Sequence, residues 1–226
     1  MNIITHIDIA NTLQKEIENV LPVKMDSLSF VYGCIKPDIC AEYKKTPHIL
    51  SNCGDILSSV YYQILGVTPL SIKCEKQFGK FISKNMREYI SAGNRLILSK
   101  KFCELLGVLV HYICDFFCHV HSSKYTGAML GHYAYETQYI SYFRKTIKFF
   151  DIKEALTNNK ICSCKCILNE SISVDDLKEA IHGQYMLYLL QKQSFDLDMK
   201  YSMSMSYLLC FSIIQRYIFD IIGEAA

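Results

Sequence analysis

The stretch "LLGVLVHYICDFFCHVHSSKYTGAMLGHYAYE", Leu105 to Glu136, decides the fold. Its first part, Leu105 to Cys118, is apolar all the way round a helix and is broken only by His111 and Asp115. An all-round apolar helix is a central one, buried by its neighbours. It falls short of the roughly 20 apolar residues that a membrane-spanning helix needs. The other long apolar run, "YLLCFSIIQRYIFDII" from Tyr207, is interrupted by Gln215, Arg216 and Asp220 and reads the same way. Around these two cores the polar positions recur with helical spacing.

Working outward, Ile9, Leu13, Ile17 and Val20 share one face of a first helix. "HILSNCGDILSSVYYQIL" from His48, "KQFGKFISKNMREYISAGNRLIL" from Lys76 and "AMLGHYAYETQYISYFRKTIKFF" from Ala128 predict further helices. "SVDDLKEAIHGQYMLYLLQKQS" opens on Ser173, a good N-cap with Asp176 three residues on, and a last helix is expected from Tyr201 to Ile222. "YGCIKPDICAEYKKTPH", with Pro37 and Pro47, reads as a loop. No Asn-Gly or Asp-Gly hairpin stands between alternating strands. The expected class is therefore all-α, with residues 1–226 as a single domain.

Composition narrows the function classes. The chain has 226 residues, half of them apolar, and a formal net charge of +2 from 24 basic and 22 acidic side chains. No long run of one sign appears, so a surface that coats nucleic acid is not indicated. "MNIITHIDIANTLQKEIENV" lacks the cationic start and apolar stretch of a signal peptide. The eleven cysteines are odd in number and several lie in apolar segments, as reduced core thiols do. Together these give an expectation of a cytoplasmic protein, with release by a non-classical route as the alternative. Cys162, Cys164 and Cys166 in "ICSCKC" lack the two-residue gap of common zinc knuckles and read as thiols of a polar surface insertion.

The chemistry lies in the histidines. His111 and Asp115 are four apart on one helix, and His132 and Glu136 repeat that spacing on the next. Imidazole and carboxylate are donors that zinc accepts. One such pair is ordinarily a surface ion pair. Two pairs in apolar surroundings require something to satisfy them, because burying such groups unpaired costs several kcal/mol. His6, Asp38 and His48 each have an ordinary reading: a core histidine, a turn aspartate, a residue near a helix start.

In order, "THIDIA", "PDICAEYKKTPH", "HYICDFFCHVH" and "HYAYE" resemble the zinc-dependent phospholipase C family, whose fold is shared with single-strand nucleases. The resemblance spans residues 1 to about 140 and implies a cluster of two to three zinc ions. Carried over by motif, Asp38, His48, His111 and Asp115 hold one ion, and His121, His132 and Glu136 a second. His6, a bridging Asp115 and the amine and carbonyl of Met1 hold a third. Asp38 becomes both ligand and general base towards an attacking water. His182 is left as an ordinary helix-face residue.

The sequence departs from the family in several places. There is no tryptophan to begin the chain, and the Met1 amine reaches the cluster only if the first residues fold back. His119 stands where the family has a proline, so a helix running on would bring His119 towards Asp115, whereas motif spacing favours His121. Ile39 stands where the family has an aromatic choline contact, and the extra C-terminal β-sandwich of the toxin members is not expected. Tyr32, Tyr43, Tyr125 and Phe116 lie near the motifs, as pocket or as core.

The implied function is a zinc-dependent phosphodiester hydrolase acting on a phospholipid or small phosphodiester. Zinc suits it because it lowers the pKa of water to about 7 and stabilises entering and leaving oxygens. The alternatives are a single-strand nuclease of the same fold, which the lack of a basic stripe disfavours, and a non-catalytic protein stapled by zinc. A di-iron bundle needs Glu-x-x-His pairs that this chain lacks.

Overall fold

The computed structural model describes residues 1–43, 48, 50–70, 90–152, 154–155 and 173–223. Among them, seven α-helices account for nearly all regular structure: α1 (Ile3–Val20), α2 (Ser27–Ile39), α3 (Leu50–Leu65), α4 (Lys100–Phe116), α5 (Met129–Thr146), α6 (Val174–Leu189) and α7 (Phe195–Gly223). The all-α expectation holds. Two-residue strands β1 (Val23–Lys24) and β2 (Leu96–Ile97) pair in parallel, Val23 with Leu96 and Lys24 with Ile97. No helix among the described residues is long and apolar enough to cross a membrane.

The two apolar runs form the centre. Leu105 to Cys118 is buried without interruption; the run from Tyr207 is buried at Tyr207–Cys210 and Ser212–Ile214 and half-buried at Phe211 and from Gln215 to Ile218, while Tyr201–Ser206 ahead of it are buried too. Helix α7 lies against α4 through small residues: the Ser202 hydroxyl donates to the Cys114 and Phe117 carbonyls, and Ser206 meets the Cys114 thiol at 3.5 Å. Helix α4 starts where Ser99 accepts a hydrogen bond from the Phe102 amide. The Ser173–Asp176 capping box opens α6 as its sequence signals. On α1, Ile9, Leu13 and Ile17 are fully buried, but Val20 turns out to solvent at the helix end.

Of the segment read as a loop, Tyr32 to His48, the first half, Tyr32–Ile39, is the end of helix α2. Asp26 caps its start by accepting from the Ser29 amide, and Pro37 sits in its last turn. A proline there is tolerable because the helix ends two residues later, so only the final turn loses a bond. What holds α2 is a crossing with α4 at two glycines. A Cβ on Gly33 would stand 2.0 Å from the Glu104 carbonyl oxygen, and one on Gly107 would stand 2.3 Å from that of Phe30. Backbone-to-backbone contact of this kind brings the C-terminal ends of both helices together. Lys36 and Glu104 clamp the same crossing with an ion pair of 2.7 Å.

Two other expectations shift. The helix expected through Leu98 ends at Ser91, because Gly93 takes φ +79° and Leu96–Ile97 becomes β2. The last helix begins at Phe195, six residues ahead of its expected start at Tyr201. The rest of the helix expected from Lys76, and Cys162, Cys164 and Cys166, lie outside the described residues.

Candidate metal centre

The α2–α4 crossing fixes the first part of the site. One turn beyond Gly107, His111 Nδ1 makes a 2.8 Å hydrogen bond to the Cys34 carbonyl. That bond requires the proton on Nδ1 and turns Nε2, as a lone pair, towards the end of α2, where Asp38 lies 3.8 Å away. One turn further, Asp115 brings Oδ2 to 3.3 Å from His111 Nε2 and 2.5 Å from His48 Nδ1. His48 Nδ1 is also 3.3 Å from His111 Nε2 and 3.9 Å from Asp38.

The second part depends on how α4 ends. Helix α4 stops at Phe116, and Cys118 takes an extended conformation that opens a 3-10 turn, His119–His121. The helix therefore does not run on. The turn carries His121 to Glu136 Oε1 at 3.1 Å, and His132, one turn before Glu136 on α5, reaches the same oxygen at 3.1 Å. His119 is turned aside, its ring packed between Tyr125 and Tyr135 at 5.6 and 5.5 Å.

The third part comes from α1. Asn2 is an extended N-cap whose side chain accepts from the Ile4 amide, so the chain before it folds inward. The Met1 amine bonds Asp115 Oδ1 and lies 2.7 Å from His121 Nε2 and 3.2 Å from Glu136 Oε1. His6 stacks on His111 at 4.1 Å and comes within 3.3 Å of Asp115 Oδ1. All nine positions singled out in the sequence, Met1, His6, Asp38, His48, His111, Asp115, His121, His132 and Glu136, thus converge. The eight side chains form four groups of potential ligands, His6–His111–Asp115, Asp38–His48–His111, His48–Asp115–His121 and His121–His132–Glu136, with donor atoms within 4.8 Å of one another in each.

Electrostatics explains why this assembly fits a cation. Burial would raise Asp115, yet the Met1 ammonium and the adjacent His121 and His111 hold it well below the usual carboxylate range. Burial likewise works against Glu136, but the hydrogen bond from His121 and the charge of the amine bring it to about 2. Burial lowers His6 to about 3, which keeps it neutral. Neither His6 nitrogen has a hydrogen-bond partner, although the residue is fully buried. An orphaned neutral imidazole facing a carboxylate is a costly arrangement unless an ion completes it. Several donor separations of 3.1–3.3 Å approximate the ~3.3 Å edge of a tetrahedron of radius about 2.0 Å, the usual zinc–nitrogen distance. The residues therefore fit zinc.

Of the nearby aromatics, Phe116 is core, Tyr43 is buried, and Tyr32 and Tyr125 are partly exposed. Asp198 of α7 escaped the sequence reading. It accepts hydrogen bonds from the His119 amide, Tyr135 and Tyr188. An aspartate in "SFDLDMK" carries no periodic or motif signal that would single it out.

An all-α fold whose helix ends gather five imidazoles, three carboxylates and an amine around a zinc-sized space defines a class of histidine–carboxylate metalloproteins. The model of one family, zinc-dependent phospholipase C, matches residues 5–195, and the chain belongs to that family. Comparison with curated proteins and with solved structures finds no significant match.

Proposed function

We propose that this chain is a zinc-dependent phosphodiester hydrolase holding two to three zinc ions, and that its substrate is a small or lipid-derived diester. The observation that carries the reading is the convergence of nine donors, from the ends of α1, α2, α4 and α5, from His48 and from the 119–121 turn. Histidine and carboxylate donors characterise open catalytic sites, whereas closed structural sites are mostly built from cysteine. Asp38, His48, His111 and Asp115 would hold one ion, His121, His132 and Glu136 a second, and His6, Asp115 and the Met1 amine a third. Bound zinc supplies Lewis acidity towards the phosphoryl oxygens and a nucleophile at neutral pH.

The remaining chemistry belongs to the side chains. Asp38 keeps 22% of its side chain exposed, against none for Asp115, so it faces the entering water. Burial raises its basicity above that of an ordinary carboxylate, and Asp115 adds to this against the opposing pull of His111. It is suited to take the proton of that water. Asp115, fully buried between His6, His48 and His111, acts as an anionic bridge. Ile39, next to Asp38 and 44% exposed, gives the rim an aliphatic surface. It offers no aromatic face to a quaternary ammonium, which makes choline-headgroup lipid a poor substrate.

Elemental analysis of protein purified without chelator tests the metal, with two to three zinc per chain expected. Fewer than one, with none recovered on zinc addition, refutes the cluster. A zinc-loaded sample should then be assayed side by side on a chromogenic diester, phosphatidylcholine micelles and single-stranded DNA. Slow turnover of the chromogenic diester is expected. Brisk cleavage of micelles refutes the narrow substrate range, brisk cleavage of DNA moves the chain to the nuclease reading, and no cleavage at all favours zinc as a structural staple.

A further inference from the structure

Asp198 is a fully buried carboxylate in the first turn of α7. Among the described residues no cationic side chain pairs with it. It takes three hydrogen bonds instead: at Oδ2 from the His119 amide (2.8 Å) and the Tyr135 hydroxyl (2.7 Å), and at Oδ1 from the Tyr188 hydroxyl (2.8 Å). A buried anion is expensive, and an apolar residue of similar size would pack in its place at lower cost. The arrangement has to be explained by what the three donors hold.

Each donor belongs to a different segment. His119 opens the 3-10 turn that carries His121, Tyr135 immediately precedes Glu136 on α5, and Tyr188 is on α6. The turn needs outside help, because its N-cap residue, Cys118, makes no side-chain capping bond. Asp198 supplies the missing cap from another helix. Through Tyr135 the same oxygen ties that turn to α5, the helix of His132 and Glu136. The Tyr135 ring also packs 5.5 Å from that of His119. This holds His119 aside while His121, two residues on, meets Glu136 at 3.1 Å.

We infer that Asp198 is a positioning residue for the His121–His132–Glu136 metal position, acting through the His119 amide and Tyr135. The inference rests on the zinc reading above and extends it to a residue that touches no ion. Asp198 makes no such bond to Asp38, His48 or His111, so its influence falls on one ion of the set. Outer-sphere partners of this kind are worth about 10–100-fold in metal affinity.

The experiment is a competition titration of the full chain against a chromogenic zinc chelator, with cobalt(II) absorption as a second readout. Wild type, Asp198→Asn and Tyr135→Phe are run in parallel. The expected result for Asp198→Asn is one ion weakened about 10–100-fold, the others held as in wild type, and one cobalt signature altered. Tyr135→Phe should weaken the same ion by less. If Asp198→Asn does not fold, Tyr135→Phe, which loses a single hydroxyl from a partly exposed residue, decides alone. Wild-type affinities for every ion in the folded variants, or equal weakening of all ions, overturn the positioning role while leaving the zinc reading intact. A wild type that takes up no zinc overturns both.

Discussion

At the scale of single residues, two neighbouring histidines divide their roles by where α4 stops. His121 meets Glu136 at 3.1 Å, whereas His119 spends its backbone amide on Asp198 and its ring on Tyr125 and Tyr135. His121→Ala should therefore remove one zinc and abolish diesterase activity, while His119→Ala leaves metal content near wild type. The reverse pattern in a zinc assay of the two variants would exchange their assignments. Asp38 poses a different question, because it is proposed as both ligand and base. Asp38→Asn should slow hydrolysis of the chromogenic diester by about two or more orders of magnitude, the usual scale for a lost general base. Zinc measured on the same sample separates the roles: a slow enzyme at full zinc content has lost its base, and one that has lost an ion has lost a ligand.

Among the elements, the α2–α4 crossing does the most to build the site. Gly33 and Gly107 are both roofed by the partner backbone, and neither partner atom is the tip of a flexible side chain. Gly33→Ala should force the helices apart, costing about 1–3 kcal/mol as overpacking does. It should also weaken zinc, because Asp38 and His111 ride on the two separated ends. Chemical denaturation and zinc titration check the two effects; unchanged stability would mean that the helices are not in contact there. At the other end of α1, Glu18 accepts from Gln14 (2.8 Å), Lys24 (2.7 Å) and the Met25 amide (2.9 Å), tying the helix to β1. Burial opposes its ionisation, but these bonds hold its pKa below the ordinary value. A depressed carboxylate contributes its stability above the unfolded pKa, near about 4.3, and loses it as pH falls through the lower folded value. The stability gap between wild type and Glu18→Gln should accordingly be full at neutral pH and close below pH ~4. A gap that widens on acidification would contradict the assignment.

For the whole molecule, the charge assembled at the centre has a thermodynamic consequence. Asp115, Glu136 and Asp38 meet five imidazoles, and beside Asp115 stands the Met1 ammonium, whose pKa rises to about 11 against the cost of burial and which has to give up its proton before it can serve as a donor. The folded chain offers zinc a preformed set of donors that the unfolded chain lacks, so zinc should stabilise it. Free zinc at about 100 times the dissociation constant gives about 2.7 kcal/mol per site, and one kcal/mol moves the midpoint of a chain this size by about 2–4 °C. Chelation should therefore lower the melting temperature by at least about 5 °C, and zinc should restore it. An unchanged midpoint in a sample proven to lose its metal would mean that the donors are not organised by folding.

The all-α class, the two central helices and the eight side chains that converge at the centre are legible in the sequence, whereas Met1 joins them only on the condition that the first residues fold back. The reason is that these signals are local or ordered along the chain. Apolar periodicity, Ser173 with Asp176, and His–carboxylate pairs four apart each imply geometry within a single helix. Tertiary structure alone decided what depends on contacts between segments. The end of helix α2 looked like a loop because Pro37 is a breaker on its own, and it is held by a backbone crossing at Gly33 and Gly107 that no spacing encodes. The inward path of Met1 follows from the Asn2 cap. His121 faces Glu136 while His119 does not, because the chain leaves the helical path at Cys118 and the turn is capped from α7. That cap, Asp198, stands 79 residues from the amide it accepts, and a hydrogen bond over such a distance exists only once the core has brought α4 and α7 together.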